Sequence, residues 1–206
     1  MTERRICMTG REAEKLYISP YDRARAVEYA RRWARARNPI FDDFTGGGGD
    51  CTNFVSQAVY AGSCQMNYTD TFGWYFRSTG DRAPAWTGVK AFFDFFTGTG
   101  DFMPITMRIG PFGYVTEREY VSEGDVVQLL NADGVFYHTL MITGIDGDEI
   151  LVSAHSNDAL DRPLSSYTQA VGARFIRIIG VIREASDRAT YDCFEKIMQG
   201  APVLDE

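Results

Sequence analysis

Gly46-Gly47-Gly48-Gly49-Asp50-Cys51-Thr52-Asn53-Phe54-Val55-Ser56-Gln57 runs four glycines straight into an amphipathic stretch. Phe54, Val55, Ala58 and Val59 recur at helical spacing, and Gly62 follows as a natural C′ residue. Asp50 is a good N-cap, so Cys51 is expected at the first helical position. A sulfur there meets unpaired backbone N–H groups and the positive end of the helix dipole, both of which favour a thiolate. Gly49 and its neighbours leave the approach to that sulfur open and can supply N–H donors for an oxyanion. Asp50 works partly against this, because a nearby carboxylate raises a thiol pKa unless it is committed to capping. The bland alternative is a buried small residue, which is how Cys7, Cys64 and Cys193 are read. The glycine run lacks the Gly-Lys-Ser/Thr that would make it a phosphate loop.

Working outward, residues 21–37 read as a preceding helix, with Ala26, Val27, Ala30, Trp33 and Ala34 on one face and arginines elsewhere. Asn38-Pro39 ends it. Residues 63–120 are less regular and hold Trp74, Tyr75 and a short aromatic helix over 86–96. This excursion is expected to roof a cleft, with Trp74, Tyr75 and Trp86 as candidate substrate contacts; ordinary core packing is the competing reading. Strands follow at 126–130, 136–143, 149–154 and 174–182, and a tail over 186–206 carries a short helix at 191–198. Helices first and an antiparallel sheet after them make an α+β fold in one domain spanning 1–206.

The base candidate comes from the hairpin. Asp146-Gly147 signals a two-residue turn. Pairing Ile145 with Asp148 then sets His138 opposite His155, on the face of Leu140 and Ile142. These are the chain's two histidines. His138 is expected to take the thiol proton while His155 orients it, with Asn157 and Asp158 as alternative orienters. A three-residue turn would instead bring Ser156 opposite His138.

Composition narrows the chemistry. With 206 residues, 45% apolar and 24% charged, the chain can bury a core of its own. A net charge of −7 argues against nucleic acid or an anionic membrane as partner. The first twenty residues hold no apolar run for a leader or span, so the chain reads as cytoplasmic, with secretion through a removed leader left open. Four scattered cysteines look like neither a zinc site nor a disulfide framework, and two histidines leave too few ligands for a metal. No cofactor is expected.

The segment 48–57 also resembles the nucleophile motif of the bacterial putative amidase domain family, related to the NlpC/P60 and CHAP groups. Ala26-Val27-Glu28-Tyr29-Ala30 through Trp33 to Asn38-Pro39 is similar to its opening helix. His138-Thr139 to Thr143-Gly144, then His155-Ser156-Asn157-Asp158 and Pro163-Leu164-Ser165, resemble its later portion. The likeness covers residues 21–182. It implies a papain-like fold with Cys51 as nucleophile, His138 as base, and His155 or, closer to the papain habit, Asn157 as third residue. Phe41 stands where relatives often carry Tyr, so any donor that hydroxyl supplies must come from elsewhere. The reaction expected is hydrolysis of an amide-containing, peptide-like substrate; an acyltransferase or transglutaminase would use the same residues. A peptide- or glycan-binding module without catalysis is the rival from another class, and the sequence leaves the oligomeric state open.

Overall fold

The computed structural model describes residues 16–47, 49–99, 108–184 and 193–201. Cys7, Gly48 and the start of the expected C-terminal helix lie outside them.

Arg23–Trp33 form α1, shorter than the sequence suggested, with Asp22 Oδ1 accepting from the Arg25 N–H at 3.1 Å. Its apolar stripe packs on α2, Cys51–Ser63. Gly62 does not end α2. It lies inside it, where a Cβ would come within 2.5 Å of the Tyr21 ring, and the left-handed residue that stops the helix is Cys64 at φ 45°. The aromatic helix is broken at Gly88 into α3, Pro84–Thr87, and α4, Val89–Thr97.

The sheet is antiparallel throughout. Strand β1 (Leu16–Ser19) is followed by the small ribbon of β2 (Phe76–Ser78) and β3 (Asp81–Arg82), then β4 (Gly110–Thr116) and β5 (Val126–Leu130). The rest are β6 (Phe136–Asp146), β7 (Glu149–Ala154), β8 (Ala159–Pro163) and β9 (Gly172–Glu184). The main sheet runs β1-β9-β5-β6-β7-β8, with β4 also paired to β9. Alternation divides each strand between two cores. Val126, Met141 and Ile176 face the helices, whereas Val127, Leu140 and Phe175 build a second cluster on the far side. The α+β expectation therefore holds, with helices packed on a multi-stranded antiparallel sheet. No helix among the described residues is long and apolar enough to cross a membrane.

Cys64 and Cys193 are disulfide-bonded, which corrects their reading as free buried thiols. The bridge ties the end of α2 to the start of α5, Phe194–Met198, across 129 positions of sequence. Cys51 is the free cysteine among the described residues.

Candidate functional site

Cys51 occupies the first position of α2, and Asp50 precedes it at the N-cap position. The Asp50 side chain makes no capping bond. Its Oδ1 accepts instead from the Phe44 N–H at 3.1 Å and from Asn53 Nδ2 at 2.6 Å. The first-turn N–H groups are thus not consumed by the carboxylate. The thiol is pushed up by burial, which outweighs the donors around it. Those donors are the Thr139 backbone, the Thr52 hydroxyl, and the backbones of Thr52 and Cys51. Asp50 has its own compensation, since Arg37 Nε lies 3.5 Å from Oδ2.

Side chains of α2 meet β6 through a chain of hydrogen bonds. Gln128 Oε1 accepts from Arg174 Nε at 2.8 Å, and Gln128 Nε2 donates to Thr139 Oγ1 at 3.2 Å. The Thr139 and Thr52 hydroxyls are 2.9 Å apart, and Thr52 Oγ1 is 3.8 Å from Cys51 Sγ. The sulfur therefore sits near Thr139 of β6, beyond the end of the β6–β7 ladder, which begins at Met141↔Ser153.

His138 and Cys51 line the same cavity of about 430 Å³. Gly49, Ser156, Asn157, Arg162 and Tyr167 form part of its wall. Burial, and then the Arg162 charge, push the His138 pKa down from 6.5 to about 4. Tyr137 and Tyr167 lie near its ring, at 6.0 and 6.1 Å between centroids. Among the described residues no hydrogen bond joins the ring to Cys51 or to an orienter. Both shifts favour the uncharged form of the group, thiol for Cys51 and neutral imidazole for His138.

The register expected for the histidines is corrected. Asp146 pairs with Glu149, so the loop is Gly147-Asp148, with Gly147 at φ 58°. A bulge between Ile142 and Gly144 then shifts the strands again. Carried past the end of the ladder, that count sets His138 against Ser156, the alternative considered above. His155 points the other way. Its Nδ1 lies 2.6 Å from Asp50 Oδ2, its Nε2 donates to the Trp33 carbonyl at 2.9 Å, and its ring stacks on Phe54 with centroids 4.1 Å apart. A carbonyl only accepts, so Nε2 carries a proton; Nδ1 and the carboxylate hold another between them. Asn157, at φ 88°, is on the exposed rim.

Trp74, Tyr75 and Trp86 do not line the cavity; all three belong to the helix-side core. The indoles can be fully buried because each N–H finds a partner inside, Ser56 Oγ at 3.0 Å for Trp74 and Asn53 Oδ1 at 2.8 Å for Trp86. Phe41 stacks on Trp86 in the same core. The residues missed were Tyr137, Arg162 and the wall from Ser166 to Gln169. Of these, only Tyr137, next to His138, carried a positional hint. Among the described residues no cluster of three or more His, Cys, Asp or Glu side chains is arranged to hold a metal ion.

A family model described as a putative amidase domain matches residues 20–178. The chain is 28% identical over 170 residues to the uncharacterized protein YhbB of Bacillus subtilis (strain 168), covering 77% of this chain and 50% of that one. It is 27% identical over 170 residues to the uncharacterized protein YjcM of the same organism, covering 81% and 38%. The chain thus spans half or less of the length of these relatives. No solved structure matches.

Proposed function

Because the chain belongs to the putative amidase domain family, we propose that it hydrolyses an amide through Cys51 and His138, on a papain-like or NlpC/P60-like arrangement. The observation that carries this reading is the shared cavity. A free thiol at an uncapped helix start and a neutral, poorly solvated imidazole open into one space. Perturbed titratable groups in a cleft favour a catalytic use.

The chemistry follows from the protonation states. A thiol pushed up and a histidine pushed down do not form a resting ion pair. Proton transfer from Sγ to His138 accompanies attack on the carbonyl, as an S–C bond forms. The negative charge moves to the former carbonyl oxygen, where the first-turn N–H groups of α2 can receive it. His138 returns the proton to the leaving nitrogen as the C–N bond breaks. Water, deprotonated by the same ring, then cleaves the thioester. His138 must turn toward Sγ as substrate enters, since apo contacts of this kind are often loose.

His155 takes a positioning part in this reading. With Asp50 it fixes the start of α2 to the end of α1, and it does not orient His138. Ser156 contributes by accepting from the Asp50 N–H at 2.7 Å. The Cys64–Cys193 bridge supports action in an oxidising compartment rather than the cytoplasm.

The test is turnover of a panel of peptidyl-aminomethylcoumarin amides, with labelling by an iodoacetamide probe. Cys51→Ala and His138→Ala are expected to abolish turnover, and Cys51→Ala to abolish labelling. Undiminished turnover in folded Cys51→Ala would remove the proposal.

A further inference from the structure

Resting on that reading, we infer that Arg162 makes the cavity a receptor for a carboxylate, so that the substrate is a peptide amide bearing a free carboxyl group near the scissile bond. Arg162, on β8, is the cavity's charged side chain once His138 is neutral, and no Asp or Glu lines the wall. In a chain of net charge −7 this is a local reversal of sign. Its Nε donates to Ser166 Oγ at 2.7 Å and its Nη2 to the Ser166 carbonyl at 3.3 Å. Its guanidinium lies 4.3 Å from the centre of the Tyr167 ring. These contacts hold the fork in place without neutralising it. Among the described residues it has no acidic partner, unlike Arg37, which meets Asp158 at 2.9 Å, or Arg31, which meets Asp161 at 3.1 Å.

The rest of the wall suits the same ligand. Tyr167 lines the cavity, while its hydroxyl is shut away from solvent. A guanidinium pinned by Ser166 and left without an acid is a geometry that a carboxylate completes with a charge-assisted pair. Ser156, Asn157 and Gln169 add neutral donors along the wall. No carboxylate of its own is there to attract a cation.

Occupancy would also serve the chemistry. The Arg162 charge disfavours a proton on His138. A substrate carboxylate against Arg162 cancels that field, so the imidazolium needed during attack on the amide becomes easier to form once substrate is seated. A correct substrate thereby improves its own base, and an uncharged analogue does not.

The experiment separates this from the catalytic proposal by measuring binding. Four acetylated tripeptide probes are titrated calorimetrically against the full chain carrying Cys51→Ala. They pair a Glu side chain with Gln, and a free C-terminus with its amide, which distinguishes the two sources of carboxylate. One carboxylate source is expected to bind about 10- to 100-fold more tightly than its amide, as for a charge-assisted pair. Arg162→Gln should remove the preference, and Arg162→Lys should keep part of it because the charge stays but the fork is lost. Equal binding of acid and amide overturns the inference. So does a preference that survives Arg162→Gln, or absence of binding by all four probes at millimolar concentration. An intact Arg162-dependent preference in a protein that never turns over an amide would overturn the hydrolase reading alone.

Discussion

The first turn of α2 is held from two sides, and the two sides do opposite things. On one, His155 is sealed from solvent with both ring nitrogens bonded, to Asp50 and to the Trp33 carbonyl. On the other, His138 borders the cavity with no hydrogen bond to its ring among the described residues, and its pKa falls to about 4. Two residues of one type in one hairpin thus divide into a strut and, on the proposed mechanism, a base. A satisfied histidine buys rigidity; an unsatisfied one keeps a lone pair for a substrate. The difference comes from where each strand end leaves the sheet, not from the histidines themselves.

The comparison breaks most visibly in a crossed pair of substitutions. His138→Ala should lower turnover by about 10²- to 10⁴-fold, the range for loss of a general base, with stability changed by about 1 kcal/mol or less. His155→Ala should do the reverse. It strips the buried Asp50 carboxylate of one of its two 2.6 Å partners, at a cost of about 3–5 kcal/mol in urea denaturation. Its turnover loss at a temperature where it is folded should be smaller than that of His138→Ala. If His155→Ala is stable but inactive, the strut is the reactive group.

The bridge at the other end of α2 comes next. Cys64→Ser should cost about 2–5 kcal/mol, because a crosslink over a loop this long restricts the unfolded chain strongly. Iodoacetamide labelling at Cys51 should persist in that variant. Its loss would mean that the helix start depends on the staple.

A gentler probe is pH. The folded pKa of His138 is depressed from 6.5 to about 4. Above 6.5 the ring is neutral in both states and the group adds no pH dependence. As pH falls from 6.5 toward 4, the unfolded chain takes up the proton first and stability drops. The loss is at most about 3 kcal/mol at 1.36 kcal/mol per unit. His138→Gln should flatten the stability profile in that window. On the proposed mechanism the acid limb of kcat/KM should lie near 4 rather than 6.5. An acid limb at 6.5 would mean a solvated ring, and the contrast with His155 would weaken.

How far the sequence could be read follows the same physics. Strands β5 and β7 were legible to the residue, because each is a buried run bounded by clear turn residues. Strand β1 escaped as a four-residue edge with exposed side chains, and β8 because Ala-Leu-Asp-Arg-Pro has no apolar period. Cys51 at a helix start was legible from the glycines and Asp50. The position of His155 was not, since one bulge between Ile142 and Gly144 changes which side chains share a face and leaves no mark in composition. The tryptophans misled because their partners, Ser56 and Asn53, sit on α2 and become visible only when the helix is docked. Arg162 belongs to a wall assembled from β8 and the loop after it, a juxtaposition that no local pattern announces.

The smallest effect expected concerns the neutral tie on the cavity side. Thr52 and Thr139 join α2 to β6 through one hydroxyl pair, against the Asp50–His155 tie on the other side. Gln128 Nε2 can only donate, so Thr139 accepts from it and is free to donate onward to Thr52. The Thr52 proton is then available to Sγ, 3.8 Å away, and supports the developing thiolate. Thr52→Val keeps the shape but removes that donor and leaves the Thr139 proton without its acceptor. About 1 kcal/mol of stability should be lost, with a several-fold fall in turnover. Thr139→Val alone leaves Thr52 able to donate to sulfur, so it should cost similar stability but less turnover. In the double variant the stability loss should be less than the sum, because neither buried hydroxyl is stranded. Denaturation and kcat measured on all four proteins of this cycle would check it. Equal turnover losses in the two single variants would show that the tie only positions α2 and passes no proton toward Cys51.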